Sequence, residues 1–201
     1  MIDERFVILA VLVDVWGSLA YVIDTAKGIT KPNRVTWFLW TLIPVVALVG
    51  MFDEKASMTS IILVGVFGLM PLIIFITSFL NKKAYWKITR FDWICGILSA
   101  AGILAWLATG NGNLTIIFSM VANFFAWLPT LVKAFRVPDS ESWLAYFNGA
   151  LASFLTLLTV GQWSFASVAL LIYFTISCSV TFALVKFRLG LKLLKLPGAQ
   201  T

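Results

Sequence analysis

Apolar runs long enough to cross a bilayer recur along the chain at 6–23, 35–52, 58–80, 91–109, 114–135, 142–160 and 164–185. The shortest holds 18 residues. That is about 27 Å at the helical rise, enough with interfacial anchors for a hydrocarbon core of roughly 30 Å. Pro44, Pro71 and Pro129 fall inside runs. There they mark kinks and candidate hinges rather than ends, because neighbouring helices in a membrane can satisfy the carbonyls a proline frees. The pattern predicts an all-α membrane protein with seven transmembrane helices. The first run follows an acidic start, Met1-Ile2-Asp3-Glu4-Arg5, rather than a basic one, and reads as a retained helix instead of a cleaved signal peptide.

The charges lie between the runs and give them a direction. The loops after runs one, three and five, together with the tail, hold 13 of the 15 basic residues. The opposite side has Arg5 and Lys55, beside Asp3, Glu4, Asp53 and Glu54. Cytoplasmic loops are the ones enriched in Lys and Arg, so the N-terminus is expected outside and the C-terminus in the cytoplasm, at the plasma membrane. The segment from Lys186 to Lys195 alternates basic residues with leucines, as expected of a stretch lying along the anionic inner leaflet.

The runs also repeat. Shifting the first three by 106 residues gives 112–129, 141–158 and 164–186, close to runs five, six and seven. Ala20, Lys27, Pro32 and Trp37 then coincide with Ala126, Lys133, Pro138 and Trp143, and Tyr21, Thr36 and Trp40 with Trp127, Ser142 and Tyr146. A duplication accounts for both agreements. The expected organisation is a three-helix unit over 1–83, a linker helix over 84–112, a second unit over 113–190 and a cytoplasmic tail over 191–201. Three helices plus a linker return the chain to the same side. The two units should therefore run parallel, related by a pseudo-twofold axis along the membrane normal, with a substrate site at the midplane between them.

Composition agrees and removes several function classes. Hydrophobic residues make up 61% and charged residues 12% of the chain, about half the charge a soluble domain uses to cover its surface. The net charge of +6 comes from loop residues that act as topology signals, so nucleic acid is not an expected partner. With no histidine, imidazole catalysis and His-metal sites are excluded, and Cys95 and Cys178 read as buried packing residues. No phosphate-binding loop or dinucleotide fingerprint is present, and no lysine lies deep in the last run to carry retinal. No cofactor, metal or enzymatic activity is expected. A solute and the lipid bilayer are the expected partners, and homo-oligomerisation stays open.

Polar residues inside the runs are the candidates for function. Asp14 lies near the middle of run one, where an ionised carboxylate costs at least ~2.5 kcal/mol and is normally turned inward. It is either a solute acceptor or proton-coupling group, or a structural bond to a neighbouring helix. Asn123, Asn148 and Ser177 are similarly deep, and either line a pathway or bond between helices. The pseudo-twofold would bring Asp14 and Asn123 toward each other across a central cavity. Trp40 and Tyr146, related by the repeat, are candidates for an aromatic wall. Trp37 and Trp143, nearer the loops, belong either to the same wall or to an interfacial belt, the usual explanation at that depth, and Trp86, Trp93 and Trp163 are expected in the belt. Gly96-x-x-x-Ala100 and Gly149-x-x-x-Ser153 suit close helix contact.

The stretch Trp127-Leu128-Pro129-Thr130-Leu131-Val132-Lys133-Ala134-Phe135-Arg136, followed by Asp139-Ser140-Glu141-Ser142-Trp143, resembles the PQ-loop signature. That signature has a Pro-Gln pair near the end of one helix, a basic stretch, and a small polar turn opening the next. Thr130 stands at the Gln position, and Ile23-Asp24 replaces the pair in the first copy. The whole chain is similar to the SWEET and PQ-loop transporter superfamily, whose bundle is shared by KDEL receptors and PnuC-type vitamin transporters. Sugar facilitators of that group carry four helix-kinking prolines; here Pro44 and Pro129 match, whereas Ile23 and Ala150 do not. The resemblance implies alternating-access transport of a small polar solute, sugar-like or vitamin-like, passive or proton-coupled. Its alternative is a receptor or sorting protein that binds a ligand on the same bundle without passing it through.

Overall fold

The computed structural model describes residues 2–107 and 111–194. Among them the regular structure is helical: α1 (Phe6–Ala26), α2 (Arg34–Asp53), α3 (Met58–Thr77), α4 (Arg90–Leu107), α5 (Gly112–Arg136), α6 (Trp143–Thr159), α7 (Phe165–Phe187) and a short α8 (Leu189–Leu194), with single 3₁₀ turns at Lys82–Ala84 and Pro138–Ser140. Side chains that accept from the first free amides fix several starts. Asn33 caps α2, Asn111 caps α5 and Ser164 caps α7. Helices α2, α3 and α5 run uninterrupted through Pro44, Pro71 and Pro129, as expected of prolines inside spans.

Five helices, α1, α2, α3, α5 and α7, are long and apolar enough to cross a membrane, and they make this an integral membrane protein. Helix α6 is apolar but has 17 residues. Helix α4 opens on Arg90 and Asp92, and the last two residues of the predicted fourth run, with the tail from Lys195 onward, lie outside the described residues. The outward faces are apolar: on α1, Ile8, Leu12, Trp16, Leu19 and Ile23 stand exposed at helical spacing, and α2 and α3 carry similar stripes. The inward faces are small or polar instead, as with Ala10, Asp14, Gly17, Ser18 and Thr25 on α1. This inside-out pattern suits lipid, where association depends on close packing and hydrogen bonds between helices.

Helix α1 packs on α3 and α6, and α5 on α7 and α2; α2 also packs on α3, α6 on α7, and α3 meets α7 at the centre. Helix α4 lies outside this set of six, against α5 and α2. Two seams need missing side chains. A Cβ on Gly17 would fall 2.6 Å from Asn148 Cβ, and one on Gly149 3.2 Å from Cys178 Sγ.

Polar contacts tie the helix ends into two unlike faces. On the basic face, Arg34 Nη2 donates to the Ser78 carbonyl (2.7 Å), Asn33 Nδ2 to Asp92 Oδ1 (2.7 Å) and Lys31 N to the Ser140 carbonyl (3.0 Å). On the acidic face, Asn113 N donates to Glu54 Oε1 (3.2 Å), Ser57 N to Ser167 Oγ (2.9 Å) and Ile2 N to the Leu158 carbonyl (3.1 Å). The separation of charge seen in the sequence is thus a separation in space.

Candidate functional site

A cavity of about 90 Å³ opens between α1, α2, α3, α5, α6 and α7. At about 10–15 Å³ per water on this measure, it holds several waters or one small solute. Helix α1 contributes Asp14 and Ser18, α2 contributes Trp37, Trp40 and Pro44, and α3 contributes Phe67, Met70 and Pro71. From the other side come Asn123 and Trp127 of α5, Ala145, Tyr146 and Gly149 of α6, and Phe174, Ser177, Cys178 and Thr181 of α7. Among the described residues, none that lines the cavity belongs to α4.

Asp14 is 5% exposed, and its Oδ2 is buried without a hydrogen-bond partner. A buried, unanswered carboxyl oxygen costs free energy in a structure that has no other use for it. The indole nitrogens of Trp37 and Trp40 are likewise buried and unpartnered. Three other polar contacts on the lining are made within the protein: Trp127 Nε1 donates to Thr181 Oγ1 (2.9 Å), Tyr173 donates to Asn123 Oδ1 (3.1 Å), and Ser177 Oγ donates to the Phe174 carbonyl (3.4 Å).

Below the cavity, on the basic side, lies a buried ionic cluster. Lys133 of α5 pairs with Glu141, which precedes α6, and also donates to the Lys31 carbonyl. Glu141 Oε2 accepts from Tyr21 of α1 (2.8 Å) and from Tyr146 of α6 (2.7 Å). The Tyr21 ring packs tilted against Trp37 with centroids 4.8 Å apart, and the Trp86 ring lies 5.0 Å from the Lys133 ammonium. Toward the acidic face the closure is apolar. Met51, Ile61, Val64, Ile116 and Leu170 form one cluster, and Ala10, Leu63, Ala152 and Leu171 another. The Phe67–Phe174 pair, at 4.8 Å between centroids, sits between these clusters and the cavity.

Of the residues singled out in the sequence, Asp14, Asn123, Trp40, Tyr146, Ser177, Pro44 and Pro71 meet on one lining. Asn148 does not. Its Nδ2 donates to the Val13 carbonyl (2.9 Å), holding α6 to α1 beside the cavity. Pro129 is buried in α5 away from the lining. Trp37, expected in the interfacial belt, is 4% exposed and turned into the cavity, and Trp86 is half-buried under Lys133, while Trp93 and Trp163 are exposed. Cys178 lines the cavity rather than merely filling space, whereas Cys95 is buried.

The Lys133–Glu141–Tyr21 cluster escaped the sequence reading, which took Lys133 for a loop charge. One signal was present: Lys133 lies inside the fifth apolar run, where an ammonium needs a counter-ion, and Glu141 is the next carboxylate but one.

Compared with family models, curated proteins and solved structures, the chain finds no match.

Proposed function

We propose that this chain is a seven-span transporter of a small polar solute, of SWEET and PQ-loop type, working by alternating access. The observation that carries the proposal is the central cavity, walled by six helices and furnished with a buried carboxyl oxygen that has no protein partner. In this scheme α1–α3 and α5–α7 are the two parallel units of the 106-residue repeat, α4 is the linker, and the N-terminus is outside a plasma membrane. The packing supports such a repeat. Exchanging α1, α2 and α3 for α5, α6 and α7 turns every contact among them into another observed contact: α1 on α6 becomes α5 on α2, and α1 on α3 becomes α5 on α7.

The two closures divide the work of gating. Opening the basic, cytoplasmic end requires Tyr21 to leave Glu141 and Lys133 to leave the Lys31 carbonyl, because these contacts join one unit to the other. The Lys133–Glu141 and Tyr146–Glu141 contacts stay within the second unit and can travel with it. Opening the opposite end separates the apolar clusters around Met51 and Leu63. Pro44 and Pro71, on the lining, are the hinge positions closest to the solute, and Asp14 is its acceptor and the proton-coupling group.

Uptake by liposomes containing the purified chain tests this. Solute-dependent accumulation over protein-free liposomes, lost in Asp14→Asn while the variant still folds, is the expected result. Binding without any passage across the membrane would instead make the chain a receptor.

A further inference from the structure

The lining is chemically one-sided. Asp14 contributes a carboxyl group, and among the described residues neither lysine nor arginine lines the cavity. The buried ammonium at the basic end, Lys133, is already claimed by Glu141 and the Lys31 carbonyl. Aromatic rings enclose the same space from five helices: Trp37 and Trp40, Phe67, Trp127, Tyr146 and Phe174. The polar edges of Trp127 and Tyr146 are spent on Thr181 and Glu141, which leaves their rings for a solute.

An anionic solute would meet Asp14 with nothing to neutralise either charge. A polyol would bring several hydroxyl groups to a lining whose buried unpartnered polar atoms are Asp14 Oδ2 and the indole nitrogens of Trp37 and Trp40, while Asn123 Oδ1 and the hydroxyls of Ser177 and Thr181 are already bonded within the protein. Stranding hydroxyls in a closed cavity is unfavourable. A cation faces the opposite situation, because ring faces carry negative charge density and attract ammonium groups, most strongly when water is excluded. The unpartnered donors at Trp37 Nε1 and Trp40 Nε1 then call for an acceptor on the same molecule.

Building on the transporter reading, we propose that the solute is a small organic cation carrying a hydrogen-bond acceptor, its ammonium held against Asp14 among the aromatic rings and its acceptor meeting the indole N–H groups of Trp37 and Trp40. Asp14 supplies the charge preference, and the two indoles set the position.

The test uses the full chain, with choline, its uncharged isostere 3,3-dimethyl-1-butanol, tetramethylammonium, phenethylammonium and glucose as probes. Calorimetric titration of the protein in detergent is expected to show binding of choline about tenfold or more tighter than the isostere, the scale of one charge-assisted contact. Asp14→Asn should erase that difference. Trp37→Phe and Trp40→Phe combined keep both rings and remove both N–H groups, so the pair should weaken choline and leave tetramethylammonium unchanged; it also decides the matter if Asp14→Asn does not fold. Glucose or the isostere binding as tightly as choline, or no binding of any of the three cations at millimolar concentration, overturns the proposal. Uptake of the same probes into liposomes is scored separately. Cations that bind and never cross would refute transport and leave the cation site standing, whereas glucose uptake without cation binding would do the reverse.

Discussion

Lys133 and Glu141 form an ion pair at the junction of α5 and α6 with side chains 1% and 0% exposed. Two phenols, Tyr21 and Tyr146, complete the shell around the carboxylate. A buried pair of this kind adds little net stability over apolar residues, but removing one partner leaves an uncompensated charge. Either Lys133→Met or Glu141→Gln alone should therefore destabilise the fold by about 3–5 kcal/mol, and the double variant should recover most of the loss. Thermal unfolding in detergent of the four proteins checks this. A double variant as unstable as the sum of the singles would show that the two charges do not answer each other.

Seams closed by glycine make a sharper steric prediction. Gly17→Ala places a methyl group 2.6 Å from Asn148 Cβ, so α1 and α6 must separate. A loss of about 1–3 kcal/mol is expected, the usual cost of overpacking a filled core. Gly65→Ala, on α3, meets nothing within 4 Å and should be neutral or mildly stabilising, since alanine is the better helix former. Unfolding temperatures that rank the two the other way round would mean that α1 and α6 do not pack as described.

Orientation can be read by labelling. Lys82 on the basic face and Gln162 on the acidic face are both exposed. With single cysteines at these two positions, an impermeant maleimide applied to intact cells should modify Gln162→Cys and spare Lys82→Cys. Modification of Lys82→Cys alone would reverse the proposed orientation.

Protons and a cationic solute would compete for Asp14. Protonation removes the charge that holds the cation, so choline affinity should fall as pH is lowered through the range in which the carboxyl titrates, and rise above it. Cys178 and Tyr146 are the other titratable groups on the lining, contributed by α7 and α6, and neither is a carboxyl. Asp14→Asn should therefore flatten the pH dependence of binding. A pH profile that survives the substitution would assign the proton to another group.

The sequence made some of this legible for a simple reason. Lipid demands apolar runs, and an isolated Asp14 in such a run must turn inward, so the helices and the most telling cavity residue were visible without coordinates. Asn148 shows the limit: a mid-helix amide reads the same whether it faces a solute or the Val13 carbonyl. Trp37 misled because depth along a helix is not direction around it, and three residues from the head of α2 can still point at the axis of the bundle. Lys133 and Glu141 were hidden by position, since charges near a helix end are normally solvated. What no periodicity could supply was the seam of α1 on α6, which decides that Tyr21 reaches Glu141 across 120 residues of chain.

The two ends of the cavity are sealed by unlike materials, and that has a thermal consequence. Wetting the apolar clusters around Met51 and Leu63 exposes hydrocarbon, which raises heat capacity, whereas wetting the Lys133–Glu141 cluster exposes charges and phenols, whose polar atoms lower it. In the proposed cycle, the equilibrium between the two open forms then bends with temperature. On cooling, the apolar seal weakens first, and the population drifts toward the form that faces outward.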